Sequence, residues 1–146
     1  MAAIHFFAED TDHQLKNKLQ LKRWIKETIK AEGYRLNELN YILCSDAYLL
    51  EINKQYLDHD TYTDIVTFDN SEKPGTITGD IFISVERTQE NSETFKVDAD
   101  NELHRVMIHG ALHLLGYLDK KPADKKLMTA KENEYLAIKS FWLAIH

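Results

Sequence analysis

The stretch VDADNELHRVMIHGALHLLG, residues 97–116, decides how the rest of the chain is read. At 3.6 residues per turn, Leu103, Val106, Met107, Ile108, Ala111, Leu112, Leu114 and Leu115 leave little polar circumference. The stretch therefore predicts a helix buried on most sides. Asp98 or Asp100 stands where an N-cap belongs, and Gly116 where a left-handed residue ends a helix. One polar stripe survives along it: Glu102, Arg105, His109 and His113. Residues four apart stack on one helical face, so the two imidazoles can serve a single metal ion.

Downstream, the chain reverses after Gly116 through Tyr117 and Leu118, and Asp119 can fold back towards the two rings. Two histidines and a carboxylate make three ligands and leave one tetrahedral position for water, which is the catalytic pattern. Seven histidines in the chain make one H-x3-H pair a common accident. The glycine stop and the returning aspartate give this pair its meaning. Gly110 reads as a place where another backbone or a substrate approaches the metal face. It also occupies the position at which zincin proteases carry their glutamate, so the arrangement is not theirs. Lys120, Lys121, Lys125, Lys126 and Lys131 follow closely, and taken alone they read as a solvated helix face.

Upstream, AIHFF reads as a first strand, and EDTD offers caps for a helix reaching about Lys30. Its core face would carry Leu15, Leu19, Trp24, Ile25 and Ile29, with Gly33 as its stop. LNYILC is a second strand; Ser45 or Asp46 caps a short helix with Leu49, Leu50 and, as a polar anchor, Asn53. DIVTF is a third strand, and ITGDIFISV alternates as a half-buried fourth, with Gly79 marking a bulge or a close backbone approach. A helix over Glu86–Phe95 precedes the central one. The last begins near Pro122, with Leu127, Ala130, Ile138 and Phe141 or Trp142 facing inward. Strands that give way to a terminal block of helices point to α+β: one domain over 1–146, a mixed four-stranded sheet and about five helices.

Composition narrows the class. A chain of 146 residues, 43% hydrophobic and 29% charged, suits one globular core. No apolar run reaches the roughly 20 residues of a membrane span. The N-terminus lacks the marks of a signal peptide, so a cytoplasmic location is expected. The single cysteine, Cys44, excludes an internal disulfide and reads as a buried core residue. A net charge of −6 argues against nucleic-acid binding by the whole surface.

HGALHLLGY, residues 109–117, resembles the signature H-G-x-L-H-L-x-G-Y-D-H of the YbeY family, bacterial metal-dependent endoribonucleases of ribosomal RNA maturation. EINKQYLDHDTYTDIVTF is similar to the family's L-N-x-x-Y-R…T-D-V-L-S-F segment, TGDIFIS to its L-G-D-I-x-I-S, and MTAKE to its M-x-x-x-E. The resemblance implies a small α+β fold and one zinc ion per chain, or another divalent transition metal. It implies cleavage of single-stranded RNA, such as precursor ribosomal RNA at the 3′ end of 16S or on the small ribosomal subunit, and a part in ribosome quality control. The first two signature histidines fall on His109 and His113. The third falls on Asp119, whose oxygen is an acceptable zinc ligand. The arginine of the Y-R pair is absent, because Tyr56 is followed by Leu57. Arg105 and Arg87 are candidates for its catalytic role, with pairing to a carboxylate the competing reading for each. Asp64 and Asp80 are candidates to orient the ligand rings, or simply to cap and turn. His59 and His104 read as surface residues. Beside a metal cleft, Lys120, Lys121, Lys125 and Lys126 become candidate RNA contacts. The alternative is a ribosome-assembly RNA-binding module whose metal is structural and which has little or no hydrolase activity.

Overall fold

The computed structural model describes residues 3–57 and 61–143. Among them run β1 (Ala3–Glu9), α1 (Lys18–Ala31), β2 (Arg35–Cys44), α2 (Asp46–Leu57) and β3 (Ile65–Asp69). β4 (Thr76–Ser84), α3 (Val85–Phe95), α4 (Ala99–Leu114) and α5 (Pro122–Leu143) follow. The strands form one sheet in the order β1-β2-β4-β3. β1 and β4 lie parallel to β2, and β3 runs antiparallel to β4. The expected α+β class, mixed four-stranded sheet and five helices are what the described residues form.

Period-two alternation gives the sheet two faces. Leu39, Tyr41 and Leu43 of β2 and Ile77, Ile81 and Ile83 of β4 join the main core with α1 and α4. Cys44, Leu49 and Val66 form a smaller cluster with Phe68 and Phe82, beneath α2. The register slips between Leu36 and Glu38, so Leu36 and Leu39 both reach the main core although three residues apart. That is where the bulge lies, not at Gly79. At Gly79 the close approach is real: a Cβ there would stand 2.8 Å from Leu114 Cδ1 and 2.8 Å from the Phe68 carbonyl oxygen. Burial pushes the Cys44 thiol up to about 12, with nearby Asp10 and Asp46 acting in the same direction.

α4 runs through the middle of the helical layer. Asp98 caps it by accepting from Asn101 N, a contact worth about 1 kcal/mol. Tyr41 donates from inside the sheet to the Met107 carbonyl, tying the helix to β2. Gly110 faces the sheet rather than a substrate: a Cβ there would meet Ile65 Cδ1 at 2.8 Å and Ile81 Cγ2 at 3.0 Å. The reading of Gly110 as an opening on the metal face is corrected accordingly. Its missing side chain lets α4 lie close on β3 and β4.

Three further expectations change. α1 starts at Lys18 behind a left-handed Asn17, not from the EDTD stretch, and it buries Leu21 while Leu19 is 59% exposed. α5 turns Met128, Glu132, Tyr135 and Lys139 inward, and Leu127, Ala130 and Ile138 outward. The inward set finds polar partners on its neighbours: Glu132 meets Arg105, the Tyr135 carbonyl accepts from Trp24 Nε1, and Lys139 donates to Asn101. Apolar periodicity alone cannot see such a face. Trp142 does pack against the core, while the side chain of Phe141 lies outside the described residues. His104 is buried rather than on the surface, with Trp24 edge-on to its ring and Lys139 Nζ 3.1 Å from Nδ1. His59 lies outside the described residues. Among the described residues no helix is long and apolar enough to cross a membrane.

Candidate metal centre

The last turn of α4 closes in a Schellman motif. Gly116, at φ 103°, donates to the His113 carbonyl, and Tyr117 donates to that of Leu112. The reversal is locked from outside. Tyr117 Oη donates to Glu32 Oε1 at 2.5 Å, and Glu32 also accepts from Tyr135 and Lys131. Burial alone would raise the Glu32 carboxyl, but these three donors together bring it below the usual carboxylate value. Two residues after the clamped tyrosine, Asp119 returns to the helix end.

Asp119 Oδ2 lies 3.3 Å from His109 Nε2 and 3.5 Å from His113 Nε2. The imidazoles stand edge to face with centroids 4.8 Å apart. All three donor atoms fall within 4.8 Å of one another. Around a tetrahedral ion with bonds of about 2.0–2.1 Å, neighbouring ligand atoms stand about 3.4 Å apart. The two carboxylate-to-nitrogen distances already have that spacing.

Behind the rings lies a residue whose role the sequence reading missed. Glu132 Oε2 accepts from His109 Nδ1 at 2.5 Å, and Oε1 accepts from Arg105 Nη1 at 3.0 Å. With its proton held at Nδ1, the His109 ring presents its Nε2 lone pair to the Asp119 side, the carboxylate–histidine arrangement of metal sites. The signal was present in MTAKE, where Met128 and Glu132 stand at the signature spacing. Arg105 also grips Glu102, through Nε at 2.9 Å and Nη2 at 2.6 Å. Hydrogen bonds to Glu102 and Glu132 raise the Arg105 guanidinium above its ordinary value, so it stays charged. Glu102 and Glu132 are themselves buried.

The remaining candidates fall elsewhere. Asp80 is on the sheet face away from α4, accepting from Asn40 and Asn70, because strand alternation turns it opposite to Ile81. It orients neither ring. Burial raises the Asp64 carboxyl, opposed by the charges of His109 and Arg105, but its hydrogen-bond donor is Asn91. The contact to a ring expected of Asp64 is made by Glu132. Arg87 is bound by Asp46 at 2.7 Å and lies over the Tyr62 ring. Leu57 is exposed at the end of α2. Lys120, Lys121, Lys125 and Lys126 are all exposed around the start of α5, whereas Lys131 is held by Glu32.

A mixed α+β fold that ends a buried helix with two imidazoles, a returning carboxylate and a carboxylate-backed ring defines a small protein with a candidate centre for one divalent metal ion. The family model for endoribonuclease YbeY matches residues 5–139, and the chain belongs to that family. Endoribonuclease YbeY of Cytophaga hutchinsonii is 50% identical over 138 residues, covering 94% of this chain and 96% of that one. Its counterpart in Flavobacterium psychrophilum is 48% identical over 132 residues, covering 90% and 94%. The solution structure of TM1509 from Thermotoga maritima superposes with a TM-score of 0.67 at 29% identity, covering 96% of this chain and 91% of that one.

Proposed function

We propose that the chain acts as one domain that hydrolyses single-stranded RNA in the cytoplasm, with zinc as its metal and precursor ribosomal RNA as its substrate. The convergence of His109 Nε2, His113 Nε2 and Asp119 Oδ2 carries this reading. A divalent ion bound there supplies a Lewis acid for a phosphate oxygen or a bound water of lowered pKa. The protein's own groups do the positioning. Glu132 fixes the His109 tautomer, Arg105 fixes Glu132, and the Glu32–Tyr117 contact sets the chain that brings Asp119 round.

Arg105 acts as a positioning residue in this scheme, since its donors go to Glu102 and Glu132. Lys120, Lys121, Lys125 and Lys126 supply phosphate contacts beside the centre. Exposed Leu57, where the family signature has arginine, favours a second reading: an RNA-binding assembly module with a structural metal. One experiment separates the two. Zinc-loaded protein should cleave an unstructured RNA and leave a duplex intact, and His113→Ala should lose both metal and cleavage. Binding without cleavage by the zinc-loaded parent supports the module instead.

A further inference from the structure

The acidic net charge of the chain conceals a strongly basic face on α1. Lys18, Lys22, Lys26 and Lys30 follow one another at four-residue spacing, one per turn, and Arg23 lies beside them. Arg35, at the start of β2, continues the row past the end of the helix. Lys18, Arg23, Lys26, Lys30 and Arg35 are exposed, and Lys22 is half-buried with its ammonium 5.8 Å from the Phe6 ring centroid. Among the described residues no ion pair holds any of these six, and the first turn of α1 carries no acidic residue. Like charges four residues apart repel and weaken a helix. A cation at a helix N-terminus also opposes the macrodipole, so Lys18 stands where an acid would suit the fold better. The opposite face of the helix, with Leu21, Trp24, Ile25 and Ile29, accounts for its packing without the row.

The row ends beside the turn that closes α4. Lys26, Lys30 and Arg35 line a hollow with Tyr34, and Tyr34 also lines the next hollow, with Leu115, Gly116 and Tyr117; the two carboxylates of that second hollow, Glu32 and Asp124, mark where the basic row stops. The Tyr34 hydroxyl donates to the Leu115 carbonyl at 2.9 Å, at the end of the helix that carries His109 and His113. We infer that the Lys18–Lys22–Lys26–Lys30 row is a track for the phosphate backbone of a single-stranded RNA whose reacting segment lies at the metal centre. The occupant follows from charge: an extended polyanion is what a line of unpaired cations complements, and the site at its end acts on one. The inference rests on the RNA reading above, and it places part of the binding energy on α1 in addition to Lys120 and its neighbours.

The test uses the zinc-loaded full chain and an unstructured oligouridine of about 20 nucleotides, longer than a single short binding site. Affinity is measured by anisotropy across a salt series for the parent, for Lys22→Gln/Lys26→Gln/Lys30→Gln, and for Lys120→Gln/Lys121→Gln/Lys125→Gln/Lys126→Gln. The α1 variant should bind at least about tenfold more weakly, and its log–log salt slope should fall by about 2, at about 0.7 per phosphate contact. Its thermal midpoint should hold or rise, because repulsion has been removed; a merely structural row would lower it. Unchanged affinity and slope overturn the track, whatever the other lysines do. So does loss of self-association in sedimentation without loss of RNA binding, which would make the face a seat for a second copy. If the slope depends on the row but the parent cuts no RNA, the track stands and the nuclease reading falls. Cleavage with an inert row is the reverse.

Discussion

Both oxygens of Glu132 are committed, one to the His109 ring and one to Arg105, and neither is free to rotate away without losing its hydrogen-bond partner. This is why a residue 23 positions from His109 in sequence belongs with the ligands rather than with the helix that carries it. Glu132→Gln keeps the shape of the side chain but offers only one carbonyl oxygen where two acceptors were used. Its zinc affinity, by competition with a chelator, should fall about 10- to 100-fold. Asp119→Ala should fall at least as far, Asp119→Asn less, and Asp119→His should keep the metal by restoring a third imidazole. Equal affinities across the Asp119 series would make that residue an ordinary turn aspartate.

At the scale of elements, the site depends on how closely α4 lies on the sheet. The two glycines that permit it, Gly110 on the helix and Gly79 on β4, receive Ile65, Ile81 and Leu114 where their own side chains would be. The two positions differ in what would have to yield. At Gly110 the nearest contact is the mobile end of Ile65, whereas a Cβ at Gly79 presses on the backbone oxygen of Phe68 in the neighbouring strand. Gly79→Ala should therefore lower stability by about 1–3 kcal/mol, read as a drop in urea midpoint at constant m. An unchanged midpoint would mean that the β3–β4 pair shifts freely.

For the whole molecule, His104 ties the central helix to α1 and α5 without a charge of its own. Burial, with the Lys139 charge adding to it, lowers its pKa to about 4, although Asp100 and Asp98 pull the other way. The unfolded chain takes up this proton near pH 6.5 and the folded chain only near 4, so stability falls as pH drops through that window. At pH 5 the contribution is about 2 kcal/mol against folding relative to neutral pH. His104→Gln should remove it. The stability gap between parent and variant, from urea titrations at pH 7 and pH 5, should shift by about 2 kcal/mol in favour of the variant. Curves that keep a constant gap would show that His104 does not titrate differently on folding.

What the linear order of residues determined was local and periodic. The element order, the Asp98 cap, the Gly116 stop, the His109–His113 spacing and the chain reversal before Asp119 follow from spacing, because caps, turns and helical faces form between residues a few positions apart. Glu32, far away in sequence, then holds that reversal through Tyr117. Tertiary structure decided every feature that depends on a partner distant in the chain. The inward face of α5 is set by Arg105, Trp24 and Asn101, which an apolar count along α5 cannot register. Gly110 turned out to face isoleucines of the sheet, and Asp80 to lie on its far side, because the choice of face belongs to the sheet as a whole. The burial of His104 and the pairing of Glu132 with His109 were hidden for the same reason. A polar side chain is stable inside a protein only beside the group that completes its hydrogen bonds, and here that group stands on another element.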